Sequence, residues 1–155
     1  MSQNEVNIHA SCVAIGGQGV LLLGASGAGK SDLALRLIDD GAALVADDRT
    51  CLTVRAGGLR ARAPATIRGL LEIRGIGIVK LPARGGVPVA LVVQLGREGA
   101  RLPRPRLWRP PSTLLPAQFP PQIMLDSRHA SSPARIRAAL AAHRAGTFRD
   151  TFNPD

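Results

Sequence analysis

Apolar and polar positions at the start of the chain predict two strands followed by a helix. Residues 6–15 alternate loosely, as a strand does, and residues 20–23 are wholly apolar. Residues 16–19 between them are rich in glycine and predict a hairpin turn, so the two strands should be antiparallel neighbours. Apolar residues then recur at helical spacing from near Ser31, and Gly41 is well placed to end the helix in a left-handed conformation.

The rest of the chain continues mainly with strand patterns and closes with a second helix. Apolar runs and alternation predict further strands at residues 43–46, 50–54, 59–63, 87–95 and 122–125. The run at 87–95 is strongly apolar and predicts a central strand. Ser131 or Ser132 should cap the last helix, with Pro133 in its first turn and Gly146 at its end. Strands interleaved with helices predict an α/β fold.

Residues 96–121 differ in character from the sequence around them. Regular helix and central strand are excluded there by Pro103, Pro105, Pro110, Pro111, Pro116, Pro120 and Pro121. We expect an extended surface segment, with Trp108 as its anchor. Residues 1–5 and 147–155 should be loosely held tails. Residues 1–155 should form a single domain, because the chain has the length of one.

The turn between the second predicted strand and the first helix reads G-x-x-x-x-G-K-S. Its residues are Gly24, Ala25, Ser26, Gly27, Ala28, Gly29, Lys30 and Ser31. Many nucleotide-binding proteins use such a loop, in which backbone N–H groups and the positive end of a helix meet phosphate oxygens. Lys30 would reach the β- and γ-phosphates, and the Ser31 hydroxyl would hold Mg²⁺. The alternative is a glycine-rich turn that binds no phosphate.

Two aspartates, Asp47 and Asp48, follow the apolar strand at residues 43–46. Carboxylates in that position can meet metal, water or an incoming hydroxyl, because α/β sheets bind ligands at the carboxyl ends of their strands. Successive side chains of a strand point to opposite faces, so the two aspartates should have different functions unless the chain bends there. The sequence leaves open which aspartate does what, and the alternative is a turn that only caps the strand.

Residues 70–79 carry a carboxylate and a guanidinium two positions apart. If this segment is extended, Glu72 and Arg74 point the same way, while Leu71 and Ile73 point into the core. Such a pair suits a site for Mg²⁺ and phosphate, since an arginine can bind two phosphate oxygens at once. Alternatively, the two residues pair with each other or with solvent.

The chain is basic, with a formal net charge of +9 that comes from eighteen arginines and two lysines. A nucleic-acid partner is not expected, because the arginines are scattered and aromatic residues make up only 3% of the chain. No apolar run approaches the ~18 residues of a membrane span, and the N-terminus lacks the pattern of a secretory signal. Cys12 and Cys51 have no metal-like spacing. A bacterial-type cytoplasmic location with reduced thiols is therefore expected.

Taken in order, four segments resemble one family, the catalytic domain of bacterial HPr kinase/phosphorylase. They are residues 8–10, 24–32, 44–48 and 72–78. The last segment reads E-I-R-G-I-G-I and is the most distinctive, and the match covers residues 8–95 well. The resemblance implies a P-loop-containing mixed β-sheet flanked by helices, related to the fold of nucleotide-dependent phosphoenolpyruvate carboxykinases.

The resemblance also implies roles for individual residues. The catalytic candidates are His9, Lys30, Asp47, Asp48 and Arg74. Ser31 and Glu72 are the candidate ligands of Mg²⁺, and Lys30 with the loop backbone would bind the phosphates of ATP. One aspartate of the pair would take the proton from a serine hydroxyl, with help from His9. That aspartate would act as an acid when the reaction runs backwards with phosphate as the acceptor.

The implied activity is an ATP- and Mg²⁺-dependent serine kinase acting on an HPr-like phosphocarrier protein of a phosphotransferase system. Full-length members carry a further N-terminal domain, so this sequence looks like a short form; the resemblance allows a homo-oligomer, because full-length members are hexamers. Members of the family carry a late proline-glycine-arginine-asparagine stretch that is linked to dephosphorylation and partner contact. Residues 126–129 stand in its place here, and the sequence leaves open whether Arg128 substitutes for the arginine of that stretch. Kinase activity is therefore better supported than phosphorolysis. The alternatives are a small-molecule kinase and a nucleotide-binding regulatory module without transferase activity.

Overall fold

The computed structural model describes residues 5–111 and 114–149. Its elements, in chain order, are β1 (Glu5–His9), β2 (Ser11–Ile15), β3 (Gln18–Leu23), α1 (Lys30–Asp39), β4 (Ala43–Ala46), β5 (Arg49–Arg55), β6 (Gly58–Arg62), a 3₁₀ turn (Ala65–Ile67), β7 (Leu70–Ile73), β8 (Gly77–Lys80), β9 (Val87–Leu95), β10 (Arg106–Leu107), β11 (Pro121–Leu125) and α2 (Ser132–Ala145). Most of the two predicted tails, residues 1–4 and 150–155, lies outside the described residues.

One mixed sheet makes up most of the described fold. Its strands hydrogen-bond in the order β1-β5-β6-β9-β3-β2-β4, while β11 adds to β9 and β10 pairs with β11. β3, β9 and β11 are parallel to one another, as expected for strands joined by long connections. The hairpins β2–β3 and β5–β6 are antiparallel. The prediction of an α/β fold with a mixed sheet is confirmed, and β9 is its central strand.

Two antiparallel segments of the sheet are interrupted at the same place, and their strands change hydrogen-bonding partners there. β1 continues into β2 through Ala10, and β4 continues into β5 through Asp47 and Asp48. The Ala10 N–H donates to the Asp48 carbonyl at 3.1 Å, and Asp48 has a left-handed φ of 67°. β1 pairs with β5, whereas β2 pairs with β3 and β4. The prediction of one continuous strand over residues 6–15 is therefore wrong at Ala10.

Two apolar cores lie on the two sides of the sheet. One core lies inside the curl of the strands and includes Cys12, Leu21, Val45, Leu52, Leu59, Val92 and Leu114. The other packs the sheet against α1 and α2 and includes Val20, Leu22, Leu33, Leu37, Leu91, Val93, Ile136 and Leu140. Each such side chain contributes about 1.5–3 kcal/mol when fully buried. Burial on both faces explains why β9 is apolar almost throughout.

The proline-rich segment is extended, and it is anchored by more residues than Trp108, the one that the sequence indicated. The Trp108 N–H donates to the Pro120 carbonyl at 2.8 Å, and the half-buried Trp108 side chain packs against the inner core. Leu114 is 1% exposed in the same core. Pro121 begins β11, a position where the missing N–H of proline is tolerated. The segment is therefore fastened to the sheet at several points.

The two helices begin and end close to where the sequence predicted. Gly41 follows α1 with a φ of 106°, and Gly146 ends α2 with a φ of 68°. Ser131 occupies the N-cap position of α2, and Pro133 lies in the first turn, as predicted. The Ser131 side chain makes no capping hydrogen bond, however, and the Ser132 hydroxyl donates to the Asp126 carbonyl at 2.6 Å. Within the described residues, neither helix combines the length and the apolar character needed to cross a membrane.

Both cysteines are free and buried. Burial raises the pKa of the Cys12 thiol to about 12. Burial also raises the pKa of the Cys51 thiol. Because the thiolate is the reactive form, both side chains are expected to behave as small apolar core residues, in agreement with the prediction of reduced thiols.

Gly19 in β3 is expected to be a position where even one methyl group is not tolerated. A Cβ atom there would lie 2.7 Å from the Pro88 carbonyl oxygen and 3.0 Å from Val87 Cγ2. Because β9 would have to shift, Gly19→Ala should lower the free energy of unfolding by about 1–3 kcal/mol. Urea denaturation measures this loss. Gly85→Ala is the matched control, since its Cβ would meet only Arg62 Cβ, at 3.7 Å; equal losses would contradict the prediction.

Candidate active site

The predicted phosphate loop lies where the parallel strands of the sheet end. β3 leads directly into residues 24–29, and α1 begins at Lys30. β9 and β11 run parallel to β3 and end at the same edge, followed by Gly96 and Asp126. The Gly96 N–H donates to the Leu125 carbonyl at 3.0 Å, which joins the ends of β9 and β11. This is the edge at which α/β sheets bind ligands.

Two glycines in left-handed conformations shape the loop. Gly27 has a φ of 83°, and Gly29, immediately before α1, has a φ of 94°. The Gly29 carbonyl accepts the Leu33 N–H at 2.9 Å, so helical hydrogen bonding starts at Gly29. Gly29 is the N-cap residue of α1 and has no side chain that could cap the helix. The first N–H groups of α1 are therefore suited to bind an anion.

Lys30 is the first residue of α1, and its side chain lies over the loop. The residue is 7% exposed, and Nζ donates to the carbonyls of Gly24 at 2.6 Å and Ala25 at 3.1 Å. Burial lowers the pKa of the Lys30 ammonium, while the negative charges of Asp48 and Asp47 raise it. The ammonium group is thus held inside the loop, within the field of both aspartates.

Gly29→Ala is expected to disrupt the loop more than Gly27→Ala. Both residues have a positive φ, so alanine costs about 1–2 kcal/mol at either position. At Gly29 the new Cβ would also lie 2.5 Å from Ser127 Oγ, whereas at Gly27 nothing lies within 4 Å. We expect Gly29→Ala to weaken binding of inorganic tripolyphosphate at least about tenfold more than Gly27→Ala. Calorimetric titration measures this, and equal effects would contradict it.

Asp47 is buried between the phosphate loop and the neighbouring strands. It is 6% exposed. Its Oδ1 accepts the hydroxyls of Ser31 at 2.7 Å and Ser11 at 2.8 Å, and its Oδ2 accepts the Glu72 N–H at 3.2 Å. Three donors therefore fix this carboxylate, and the carboxylate in turn fixes Ser31 beside Lys30.

Asp48 has a different environment from its neighbour. Its side chain is 71% exposed, and its Oδ1 lies 3.1 Å from Nε2 of His9. The Asp48 backbone N–H donates to Ser11 Oγ at 3.3 Å, so both aspartates are tied to the same serine. The left-handed backbone at Asp48 lets the two carboxylates leave the strand in different directions. The two aspartates thus differ in burial and in partners, and their difference in function stays a prediction.

Residues 70–80 form a separate two-stranded hairpin, β7–β8. Glu72 lies beside Asp47 through its N–H, and Leu71 is fully buried as predicted. Arg74 lies in the exposed turn after β7. Residues 70–79 are therefore not one extended segment, because the chain reverses direction after Ile73. The shared direction of Glu72 and Arg74 no longer follows from strand geometry.

A magnesium ion would have hard oxygen ligands at this site. Within residues 5–111 and 114–149, no group of three or more His, Cys, Asp or Glu side chains is placed to hold a metal. Mg²⁺ does not need such a group, since it keeps several waters and binds one or two carboxylates together with substrate phosphates. Ser31 Oγ is a ligand of that kind, and Asp47 Oδ1, which accepts its hydroxyl at 2.7 Å, holds it in place. The residues present fit an ion that arrives with a nucleotide.

Sequence reasoning missed two serines that support the site. Ser11 is fully buried and binds Asp47. Ser127 follows β11 and donates from its hydroxyl to the Ala28 carbonyl of the phosphate loop at 2.7 Å. A polar residue at an inward position of a buried strand was the available signal for Ser11. No local signal existed for Ser127, because its contact depends on β11 lying next to β9.

The sequence matches the family model of the HPr serine kinase C-terminal domain over residues 2–90. HPr kinase/phosphorylase from Clostridium novyi (strain NT) is 42% identical over 87 residues, covering 56% of this chain and 28% of that protein. The corresponding protein from Caldanaerobacter subterraneus subsp. tengcongensis is 43% identical over 101 residues, covering 59% of this chain and 32% of that protein. The chain thus spans about a third of the length of the curated relatives it matches.

A solved structure shows the same fold. The structure of the Hpr(Ser) kinase/phosphatase from Coxiella burnetii superimposes with a TM-score of 0.72 at 26% sequence identity, covering 91% of this chain and 97% of that chain. The family match at residues 2–90 covers more than half of the chain and includes the phosphate loop, both aspartates and Glu72. The chain therefore belongs to the HPr serine kinase C-terminal domain family.

Proposed function

We propose that this chain transfers the γ-phosphate of ATP to a serine hydroxyl of an HPr-like phosphocarrier protein. One observation carries the proposal: the buried Asp47 carboxylate accepts the hydroxyl of Ser31 in the phosphate loop at 2.7 Å, so the adjoining Asp48, whose side chain is 71% exposed, lies at the sheet edge that holds this loop. Such an arrangement supplies a phosphate cradle and a base in one place. The similarity to proteins named HPr kinase/phosphorylase supports the same conclusion.

The phosphate loop would position the nucleotide. Phosphoryl transfer depends mainly on positioning and on neutralising charge, so the loop N–H groups and Lys30 would bind the β- and γ-phosphates. Bound Mg²⁺ would supply further neutralisation of the phosphate oxygens, with Ser31 and Glu72 as its candidate ligands. Asp47 acts as a positioning residue for both candidates, since it binds the Ser31 hydroxyl and the Glu72 N–H.

Asp48 is the aspartate that we assign as the base. An incoming serine hydroxyl can reach its exposed side chain, whereas the Asp47 carboxylate is buried and occupied by three donors. His9 orients Asp48 through the 3.1 Å contact. Asp48 takes the hydroxyl proton as the serine oxygen bonds to the γ-phosphorus, the bond to the β,γ-bridging oxygen breaks, and ADP leaves. With inorganic phosphate as the acceptor, Asp48 would return the proton to the serine oxygen.

The remaining assignments follow from this activity. Arg74, on the exposed turn next to Glu72, is a candidate to contact phosphate oxygens on the incoming protein. We place the reaction in the cytoplasm, with residues 1–155 as one kinase domain and without nucleic acid or membrane as partners. A homo-oligomer is compatible with these assignments.

Labelled ATP tests the proposal directly. The chain is incubated with [γ-³²P]ATP, Mg²⁺ and the HPr-type proteins of its host, and the products are separated by gel electrophoresis and phosphoamino-acid analysis. Label on a serine of the carrier supports the proposal, and a carrier with that serine replaced by alanine is the control. Label on a metabolite would indicate a small-molecule kinase. Nucleotide binding without any label transfer would indicate a regulatory module.

A further inference from the structure

A cavity of about 470 Å³ lies beside the phosphate loop. Its walls come from the three segments that follow the parallel strands: residues 27–29 after β3, Gly96 and Arg97 after β9, and residues 126–128 after β11. Asp32 of the first turn of α1 completes the lining. The volume falls in the range of about 300–1,000 Å³ that is typical of small-molecule sites. The cavity therefore continues the candidate phosphate site along the same sheet edge.

The wall formed by residues 126–128 is held rigidly against the phosphate loop. Ser127 is 6% exposed, and its hydroxyl donates to the Ala28 carbonyl at 2.7 Å. Arg36 of α1 donates to the Ser127 carbonyl and, at 3.3 Å, to the His129 carbonyl. The Ser132 hydroxyl holds the Asp126 carbonyl at 2.6 Å. These contacts fix a turn that is far from the loop in sequence, so the cavity is a built feature of the fold.

The charges around the cavity are balanced. Arg128 forms a bidentate pair with Asp126, with Nε 3.0 Å from Oδ1 and Nη2 2.7 Å from Oδ2. The Arg128 side chain is 88% exposed and belongs to the lining of the cavity. Asp32 and Asp126 place two carboxylates on the lining, and Arg97 adds a second cation. Because the lining carries as many guanidinium groups as carboxylates, it has no net positive charge to hold a further phosphate, whereas the carboxylates can accept hydrogen bonds from ribose hydroxyls.

We propose that this cavity receives the ribose and base of the nucleotide whose phosphates bind at the loop, with Asp126 accepting a ribose hydroxyl and Arg128 lying against the base. A guanidinium plane is a good partner for a nucleobase, since it stacks on aromatic faces and is weakly hydrated. The inference rests on the proposed function for its nucleotide. It adds a nucleoside site formed by residues 96–97 and 126–128, which lie outside the family match at residues 2–90.

Comparison of ATP with inorganic tripolyphosphate tests the proposal, because the second probe has no nucleoside. Calorimetric titration in the presence of Mg²⁺ gives both dissociation constants for the full chain. Arg128→Ala should raise the dissociation constant for ATP about tenfold and leave that for tripolyphosphate unchanged. Arg55→Ala, an exposed arginine in the turn region of the β5–β6 hairpin, is the matched control and should change neither.

Each other outcome overturns the proposal. Equal weakening of both probes by Arg128→Ala would make the arginine a phosphate ligand, and no change in either would remove it from the site. If Arg128→Ala lowers the melting temperature, Arg128→Gln is titrated in its place. The proposal then requires the same change of about tenfold in the dissociation constant for ATP relative to that for tripolyphosphate. Wild-type binding of ATP no tighter than of tripolyphosphate would also overturn the nucleoside site while leaving the phosphate site intact. The proposed function fails separately, if the wild-type chain binds ATP but labels no carrier.

Discussion

Asp48→Asn is expected to lower kcat for phosphorylation of the carrier by about 10²–10⁴-fold, the usual contribution of a general base. Asparagine keeps the size of the side chain but cannot take the serine proton. Because Asp48 is exposed and touches only His9 through its carboxylate in the described structure, folding and ATP binding should stay close to those of the wild type. Single-turnover rates with labelled ATP and calorimetric titration of ATP measure the two effects.

Asp47→Asn is the matched comparison and should behave differently. Its amide would turn an N–H group either toward the two serine hydroxyls, which would then have to accept instead of donate, or toward the Glu72 N–H, which cannot accept. Either orientation disrupts the present hydrogen-bond pattern. We expect lower stability, by about 1–3 kcal/mol for an unsatisfied buried group. We also expect weaker Mg²⁺-dependent binding of ATP. Full turnover in Asp48→Asn, together with an inactive but stable Asp47→Asn, would exchange the two assignments.

Lys30→Ala is expected to abolish detectable phosphorylation, with a loss of at least about 10²–10³-fold, the size typical for removal of one preorganised group that stabilises transition-state charge. Nζ is held over the loop by the Gly24 and Ala25 carbonyls, where phosphate oxygens would take over its hydrogen bonds. Its loss removes the cation from the cradle in both the ground state and the transition state. Rates of label transfer at saturating carrier and a titration of ATP measure the loss.

Lys80→Ala is the control for that experiment. Lys80, the other lysine of the chain, is exposed at the end of β8. Its removal changes the net charge by the same amount as the removal of Lys30, so it corrects for the general attraction between a basic chain and an anionic ligand. Equal losses in the two variants would show that Lys30 acts only through the overall charge of the protein.

The phosphate loop could be predicted from the sequence because its geometry is local. A strand, a glycine-rich turn and a helix within a few residues of one another determine the direction of the N–H groups and of Lys30, whatever the rest of the chain does. Most strands and both helices were predictable for the same reason. The interruption at Ala10 was not, because it arises where Ala10 meets the Asp48 carbonyl on another strand.

The pair Asp47 and Asp48 shows where local reasoning stops. Strand alternation indicates that two neighbouring side chains differ in surroundings, but it does not say which one is buried. That depends on Ser11, Ser31 and Glu72, which meet Asp47 only in the folded chain. The exposed position of Asp48 follows from the same contacts.

The amino-acid sequence by itself determined the phosphate loop, the alternation of strands and helices, and the set of polar residues from which a site could be built. Tertiary structure alone decided which of those residues meet, because the contacts join positions far apart: Ser31 to Asp47 across 16 residues, and Ser127 to Ala28 across 99. Hydrogen bonds form only where backbone topology brings a donor within about 3 Å of an acceptor, and local periodicity carries no information about that distance.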